Sequence, residues 1–275
     1  IEDNPALFER DPLYKKRLRD LGQKKYLALA FGRWDVFEGQ FFDNWDPRPG
    51  YGVLLKPRKP DTYTVKFLSL DWGYIDPACV LWWEVTPMGR VFAYRELYIT
   101  QRGPKELAHD ILNASPLDED YQYMMASPEI WGKKADMDGG GETIQQSMQL
   151  VLGDRIPMQK ANNARIAGWN KMREYLNKAP DGYPWLQVSP NCTNLIRTLP
   201  MMVYNDTASK NGEDMDQDNE DHACEAARYG LVSLNTIQQP SVNPFGDPDY
   251  HKIFGVPEKG QRYEPVPMGR SGYGL

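Results

Sequence analysis

A chain of 275 residues suffices for one large domain with additions, and 41% hydrophobic, 12% aromatic and 25% charged residues are the balance of a packed globule, which excludes wholesale disorder. No apolar run of about 18 residues occurs, the opening IEDNPALFERDPLYKK carries no secretory signal, and three scattered cysteines (Cys79, Cys192, Cys224) make neither a disulfide framework nor a Cys-rich zinc site, so a reducing intracellular setting without a membrane is expected. The net charge of 32 − 38 = −6 speaks against a polyanionic partner until its distribution is seen: eight acids and one base lie between Asn205 and Glu225, leaving 31 bases against 30 acids elsewhere.

The first sixty residues read as short helices over 11–21 and 24–37, then FEGQFFDNW and a Pro-rich stretch expected to be a linker. From Tyr63 onward, TVKFLSLDWG, ACVLWWEVT and VFAYRELYI are three apolar, β-branched or aromatic runs, the last two joined by Pro87-Met88-Gly89-Arg90, and they predict an antiparallel meander. PKELAHDIL follows as a helix, with Pro104 in its first turn and Leu107, Ala108, Ile111 and Leu112 on one face. YQYMMAS (121–127) predicts a buried strand, GETIQQSMQLVLG a helix with Ile144, Met148 and Val151 inward and Gly153 as its stop, and RIPMQKA another strand. ARIAGWNKMREYLNK is expected to turn Ile166, Trp169, Met172 and Leu176 to one side. After it come the short strand WLQVSP, the segment CTNLIRTLPMMVY and a last helix in DHACEAARYGLVSL. The residues from 236 to 275, rich in Pro, Gly and polar types, read as an extended or disordered tail. Three antiparallel strands followed by strand–helix alternation predict an α/β fold, a mixed sheet flanked by helices of the ribonuclease H-like kind over residues 61–235.

Two places carry chemistry. Asp71 closes the apolar run Phe67-Leu68-Ser69-Leu70, and a carboxylate at the end of a core strand needs a metal, a basic partner or solvent. Asp221-His222-x-x-Glu225 opens the last helix. Asp221 can be an N-cap and Glu225 a first-turn acid, yet one helical turn also brings at least two of the three toward a common point. The acidic block reads either as a solvated loop or as part of a divalent-cation site. The other histidines, His109 in an amphipathic helix and His251 in the tail, are expected to be structural or solvated.

The segments FGRWDVFEGQFF (31–42), LSLDWGYIDPACVLW (68–82), ASPEIWGKK (126–134), KANNARIAGWNKMREYL (160–176), LQVSPNCTNLIRTLP (186–200) and DHACEAARYGL (221–231) resemble, in order, the C-terminal part of phage large terminase subunits. The resemblance implies a ribonuclease H-like nuclease that binds Mg²⁺ or Mn²⁺, two ions during catalysis, and cuts concatemeric double-stranded DNA. It makes Asp71 the first-strand ligand and draws the last ligand from Asp221, His222 or Glu225. The middle ligand falls on Glu129, with Asp136 or Asp138 as substitutes, because Ser127 stands where many relatives have Asp. His222 would ligate metal or protonate the leaving 3′ oxygen. Lys133, Lys134, Lys160, Arg165, Lys171 and Arg173 are candidate phosphate contacts. Residues 1–60 resemble the end of an ATPase region and its linker. No G-x-x-x-x-G-K-[ST] loop is present, so no ATPase activity is expected of this chain. Portal or procapsid, the small terminase subunit and further copies of the motor are the implied partners, in the host cytoplasm. Another ribonuclease H-like nuclease, such as a resolvase or transposase relative, and a non-enzymatic docking module are the alternatives.

Overall fold

The computed structural model describes residues 40–132, 141–204 and 220–236. The expected helices at 11–21 and 24–37, the residues Lys133, Lys134, Asp136 and Asp138, most of the acidic block and the tail from 237 onward lie outside the described residues.

Three long strands form the centre: β1 (Val65–Asp71), β2 (Ala78–Val85) and β3 (Val91–Ile99). Shorter strands follow as β4 (Met124–Ala126), β5 (Met158–Lys160) and β6 (Leu186–Val188). The sheet runs β5-β4-β1-β2-β3-β6, with β1–β2 and β2–β3 antiparallel and β1–β4, β4–β5 and β3–β6 parallel. This is the mixed, ribonuclease H-like sheet that the order of elements predicts. In it β1 is central, so its residues from Lys66 to Asp71 are all buried.

Alternation along the strands divides the apolar side chains between two cores. Phe67, Cys79, Leu81, Trp83, Val91 and Ala93 face one layer, and Leu68, Leu70, Val80, Trp82 and Tyr94 face the other. A register shift between Trp82 and Trp83 accommodates the extra residue Tyr94 on β3. The second layer consists of α1 (Pro104–Ala114) and α2 (Ile144–Leu152). Thr143 and Gln146 cap the start of α2 reciprocally, and Gly153, at φ 57°, ends it. On the first layer lie α3 (Arg165–Leu176), α4 (Thr193–Thr198) and α5 (His222–Val232). Trp169, Met172 and Leu176 of α3 point inward as expected, but Ile166 is 39% exposed. The inward place one turn before Met172 is taken by Gly168 and Trp169, since α3 meets α5 with a glycine at the contact.

Residues 40–60 differ from the expected linker. Phe41, Phe42 and Trp45 are core residues, and both phenylalanine rings stand edge-on to Trp169, with centroids 6.4 and 6.2 Å away. Gln40 bridges to Val203, and the Phe41 amide donates to the Met202 carbonyl at 2.7 Å. Farther on, Val53 lies against Val188 of β6 as a parallel bridge, with Leu54 N donating to Val188 O at 2.9 Å and Val188 N to Gly52 O at 2.8 Å. Arg58 then pairs with the fully buried Glu84 of β2 and lies 3.8 Å from the Phe92 ring centroid. The prolines that made the segment look like a linker suit an extended strap whose amides are only partly used.

The helix α5 approaches the sheet closely because its inward residues are small: Ala223, Cys224, Ala226, Ala227 and Gly230 are buried. A methyl group at Gly230 would stand 2.8 Å from Trp83 Nε1 and 3.1 Å from Ser69 Oγ.

Two stability experiments test this packing. Phe42→Ala should lose ~3–5 kcal/mol in chemical denaturation if the strap is part of the core, whereas a linker residue would lose almost nothing. Gly230→Ala gains about 1 kcal/mol of helix propensity, but Trp83 is wholly buried and already donates to Ser69, so overpacking of ~1–3 kcal/mol should leave a net loss. An increase in stability would show that α5 has room to shift.

Candidate active site

The end of β1 and the first turn of α5 meet at one point. Asp71 is 8% exposed, and its Oδ2 lies 3.2 Å from Nδ1 of His222. Strand β1 is held in place just beyond the carboxylate: the Ser127 amide donates to Leu70 O at 2.9 Å, and Ser127 Oγ accepts from the Trp72 amide at 3.1 Å. Ser127, fully buried, therefore fixes the backbone on both sides of Asp71.

The start of α5 is pinned separately. Tyr98 donates to Glu220 at 2.6 Å, and Arg197 of α4 donates to both oxygens of Glu220 at 2.6 and 2.8 Å. The Arg197 guanidinium, helped by the Tyr98 hydroxyl, holds the Glu220 carboxyl down at about 2. Asp221 occupies the N-cap position of α5, yet its side chain makes no capping hydrogen bond, so its carboxylate is not committed to the helix.

Burial dominates the electrostatics. It pushes Asp71 up to about 7, against the lowering effect of the His222 hydrogen bond and with the charges of Glu225 and Glu129 adding to the rise. The Asp71 hydrogen bond in turn raises His222. Burial also raises Asp221 and Glu225.

Glu225 has different partners from Asp71. Its Oε1 accepts from Arg165 at 2.5 Å and its Oε2 from Nε of the fully buried Arg228 at 2.8 Å. Arg228 further donates to Asn163 Oδ1 at 3.1 Å. Glu129 is exposed in the short 3₁₀ turn Pro128–Trp131 that follows β4, close enough for its charge to act on Asp71. Of the expected phosphate contacts, Lys160 is exposed at the end of β5 and Arg165 begins α3. Lys171 bonds to Glu174 at 3.1 Å, while Arg173 lies over the rings of Phe41 and Tyr204 and 3.6 Å from Asp43. His109 is exposed on α1. Arg228 and the hold of Tyr98 and Arg197 on Glu220 had no place in the sequence reading, and Ser127 entered it only as the position where many relatives have Asp. The signal for Arg228 was there: an arginine three residues after Glu225 in a helix of alanines.

Among the described residues, no three Asp, Glu, His or Cys side chains converge to enclose an ion. The chemistry of the set nonetheless suits a hard divalent cation: Asp71 and Asp221 are both raised by desolvation, and Asp71 further by neighbouring acids, a crowding that a cation relieves.

No protein-family model and no curated protein matches the chain. Solved structures do. The large terminase of a thermophilic bacteriophage is similar at a TM-score of 0.57 and 19% identity, over 72% of this chain and 45% of that one. The nuclease domain of the P22 large terminase is similar at a TM-score of 0.53 and 13% identity, over 74% of this chain and 98% of that domain. The fold is that of a large-terminase nuclease domain. A second crystal form of the thermophilic-phage enzyme, in complex with ATP-gamma-S, gives a TM-score of 0.56 at 19% identity, over 80% of this chain and 52% of that one. The chain thus spans about half the length of these large terminases and superposes on nearly all of the P22 nuclease domain.

A carboxyl that binds its proton better folded than unfolded makes the native state less stable as pH rises from about 4 toward 7. His222, also raised, acts in the same direction. Asp71→Asn should therefore melt higher than the wild type at pH 8, by ~1–3 kcal/mol, and converge with it below about pH 4. A lower melting temperature at pH 8 would contradict the strained burial of Asp71.

Proposed function

We propose that this chain is a divalent-metal-dependent endonuclease of a viral DNA-packaging motor, hydrolysing phosphodiesters of concatemeric double-stranded DNA. A fold alone does not assign an activity. The observation that carries the reading is the meeting of a buried strand-end Asp71 with His222 from the last helix, 3.2 Å apart, in the fold of a terminase nuclease domain.

Asp71, Asp221 and His222 are the residues that would hold Mg²⁺ or Mn²⁺, with Glu129 the nearby acid that completes the set. Two such ions would supply an activated water and stabilisation of the leaving oxygen. The protein's own part is to place these groups. Ser127 and the sheet hold Asp71 still, and the Tyr98–Glu220–Arg197 cluster holds the start of α5 against it. Asp71 fixes the His222 ring through Nδ1, so Nε2 is the one ring nitrogen left to meet the ion or, in place of that, to hand a proton to the 3′ oxygen.

Lys160 and Arg165 are the described bases proposed to meet phosphate, the first exposed on β5 two strands across from Leu70 and the second close enough for its charge to act on Asp221. Lys171 and Arg173 are engaged in packing and ion pairs of their own. In the motor, the residues ahead of the strap would continue into an ATPase region, and portal or procapsid, the small terminase subunit and other copies would be the partners, in the host cytoplasm.

The deciding experiment is cleavage of duplex DNA by the purified chain with Mn²⁺ or Mg²⁺. Cutting should stop on chelation and fall by ~100-fold or more in Asp71→Asn, the scale of losing a group that acts on the transition state. Unchanged cutting by a folded Asp71→Asn, or no cutting with either ion, sinks the proposal, and the second result favours a docking module.

A further inference from the structure

The Asp221-His222-x-x-Glu225 turn offers three side chains, and they do not share a role. Glu225 lies between two guanidiniums: Arg165, at the start of α3, holds one oxygen and Arg228, one turn along α5, holds the other. Both guanidiniums also lie over the same indole, Trp169, at 5.5 and 5.1 Å from its centroid. Gly168 lets Arg228 pass, since a methyl group there would stand 2.6 Å from Arg228 Cγ. The interlock is built from Arg165, Gly168 and Trp169 on one helix and Glu225 and Arg228 on the other.

A cation seated on Glu225 would face two fixed positive charges at hydrogen-bond range, one of them, Arg228, too buried for solvent to screen. Asp71 is paired with His222 instead, and the two guanidinium charges reach Asp221 through space. Arg228 is fully buried, and Glu225 is its charged partner, so a Glu225 that turned away to an ion would leave a buried guanidinium without compensation. Arg165 is different: its side chain is 24% exposed, and its charge reaches Asp221.

We propose that Glu225 is a positioning residue and not an ion ligand: it ties Arg165 to Arg228 so that the Arg165 guanidinium stands at the edge of the Asp71–His222 site, set to receive the scissile phosphate. The proposal rests on the nuclease reading and sharpens it. Arg228 anchors, Glu225 joins, and Arg165 makes the contact. A guanidinium held by its carboxylate meets a phosphate with little further loss of side-chain freedom.

Removal of the whole Glu225 side chain risks unfolding, so the informative variant is Glu225→Gln, which keeps shape and one acceptor. Calorimetric Mn²⁺ titration of the full chain should give Glu225→Gln an affinity within about twofold of wild type, while Asp71→Asn loses tenfold or more. Cleavage of a short duplex should slow by ten- to a hundredfold in both Glu225→Gln and Arg165→Gln, and the double variant should be no slower than the worse single one. A role in stability alone would show in thermal melts without that non-additivity. Loss of Mn²⁺ affinity in Glu225→Gln to the level of Asp71→Asn makes it a ligand and overturns the proposal, as do rate losses that multiply. If the wild type binds Mn²⁺ but cuts nothing, the nuclease reading fails, and the titration still decides whether Glu225 is a ligand. A wild type that binds no Mn²⁺ overturns both.

Discussion

The close contact of α5 with β1 and β2 is the constraint on which the rest depends. Its inward face is alanine, cysteine and glycine, and Gly230 is packed against Trp83 and Ser69 with no room for a methyl group. A helix with larger side chains there would stand off the sheet, and Asp71 would meet solvent in place of His222. Small residues thus do electrostatic work indirectly: they determine the dielectric around a carboxylate that β1 delivers to the end of the core.

The same contact gathers the charges of the candidate site on one side of the sheet. The layer built on α1 and α2 packs Leu107, Ile111, Met148 and Leu152 against Leu68, Leu70 and Val80, and the buried Glu84 and Glu119, away from the site, are paired with Arg58 and Arg95. The other layer contains Asp71, His222, Glu225 and Arg228 within or beside aromatic packing by Trp83, Trp169 and Tyr229. The fold tolerates this because each buried charge there has a specific partner, supplied by an element distant in sequence or one helical turn away.

Local pattern explains what could be read in advance. The meander, the strand–helix alternation and the inward faces of α1 and α2 follow from periodicity over a few residues, and Asp71 stood out as an acid ending an apolar run. The packed strap at 40–60 was hidden because Phe41, Phe42 and Trp45 find their partners in Trp169 and the segment before β1 carries prolines that also mark linkers. Ile166 looked inward by spacing, but the real contact on α3 required a glycine for Arg228 to pass. Glu225 with Arg165 is a pairing across 60 residues, which no window reveals. Ser127 looked like a missing acid. In the structure it is a buried hydroxyl that secures the strand end, a role that depends on β1 and β4 lying side by side.

A sheet of six strands has two outer edges, and open edges invite pairing with other chains. On the β6 side, Gly52, Val53 and Leu54 take up the hydrogen-bonding groups of Val188, so an incoming strand finds them already used. On the β5 side, among the described residues, three residues stand unpaired at the outer edge and end on an exposed lysine, too short and too charged to seed a second sheet. The strap that reads as a linker thus also protects the molecule from aggregation, which matters most wherever many copies of one chain stand side by side.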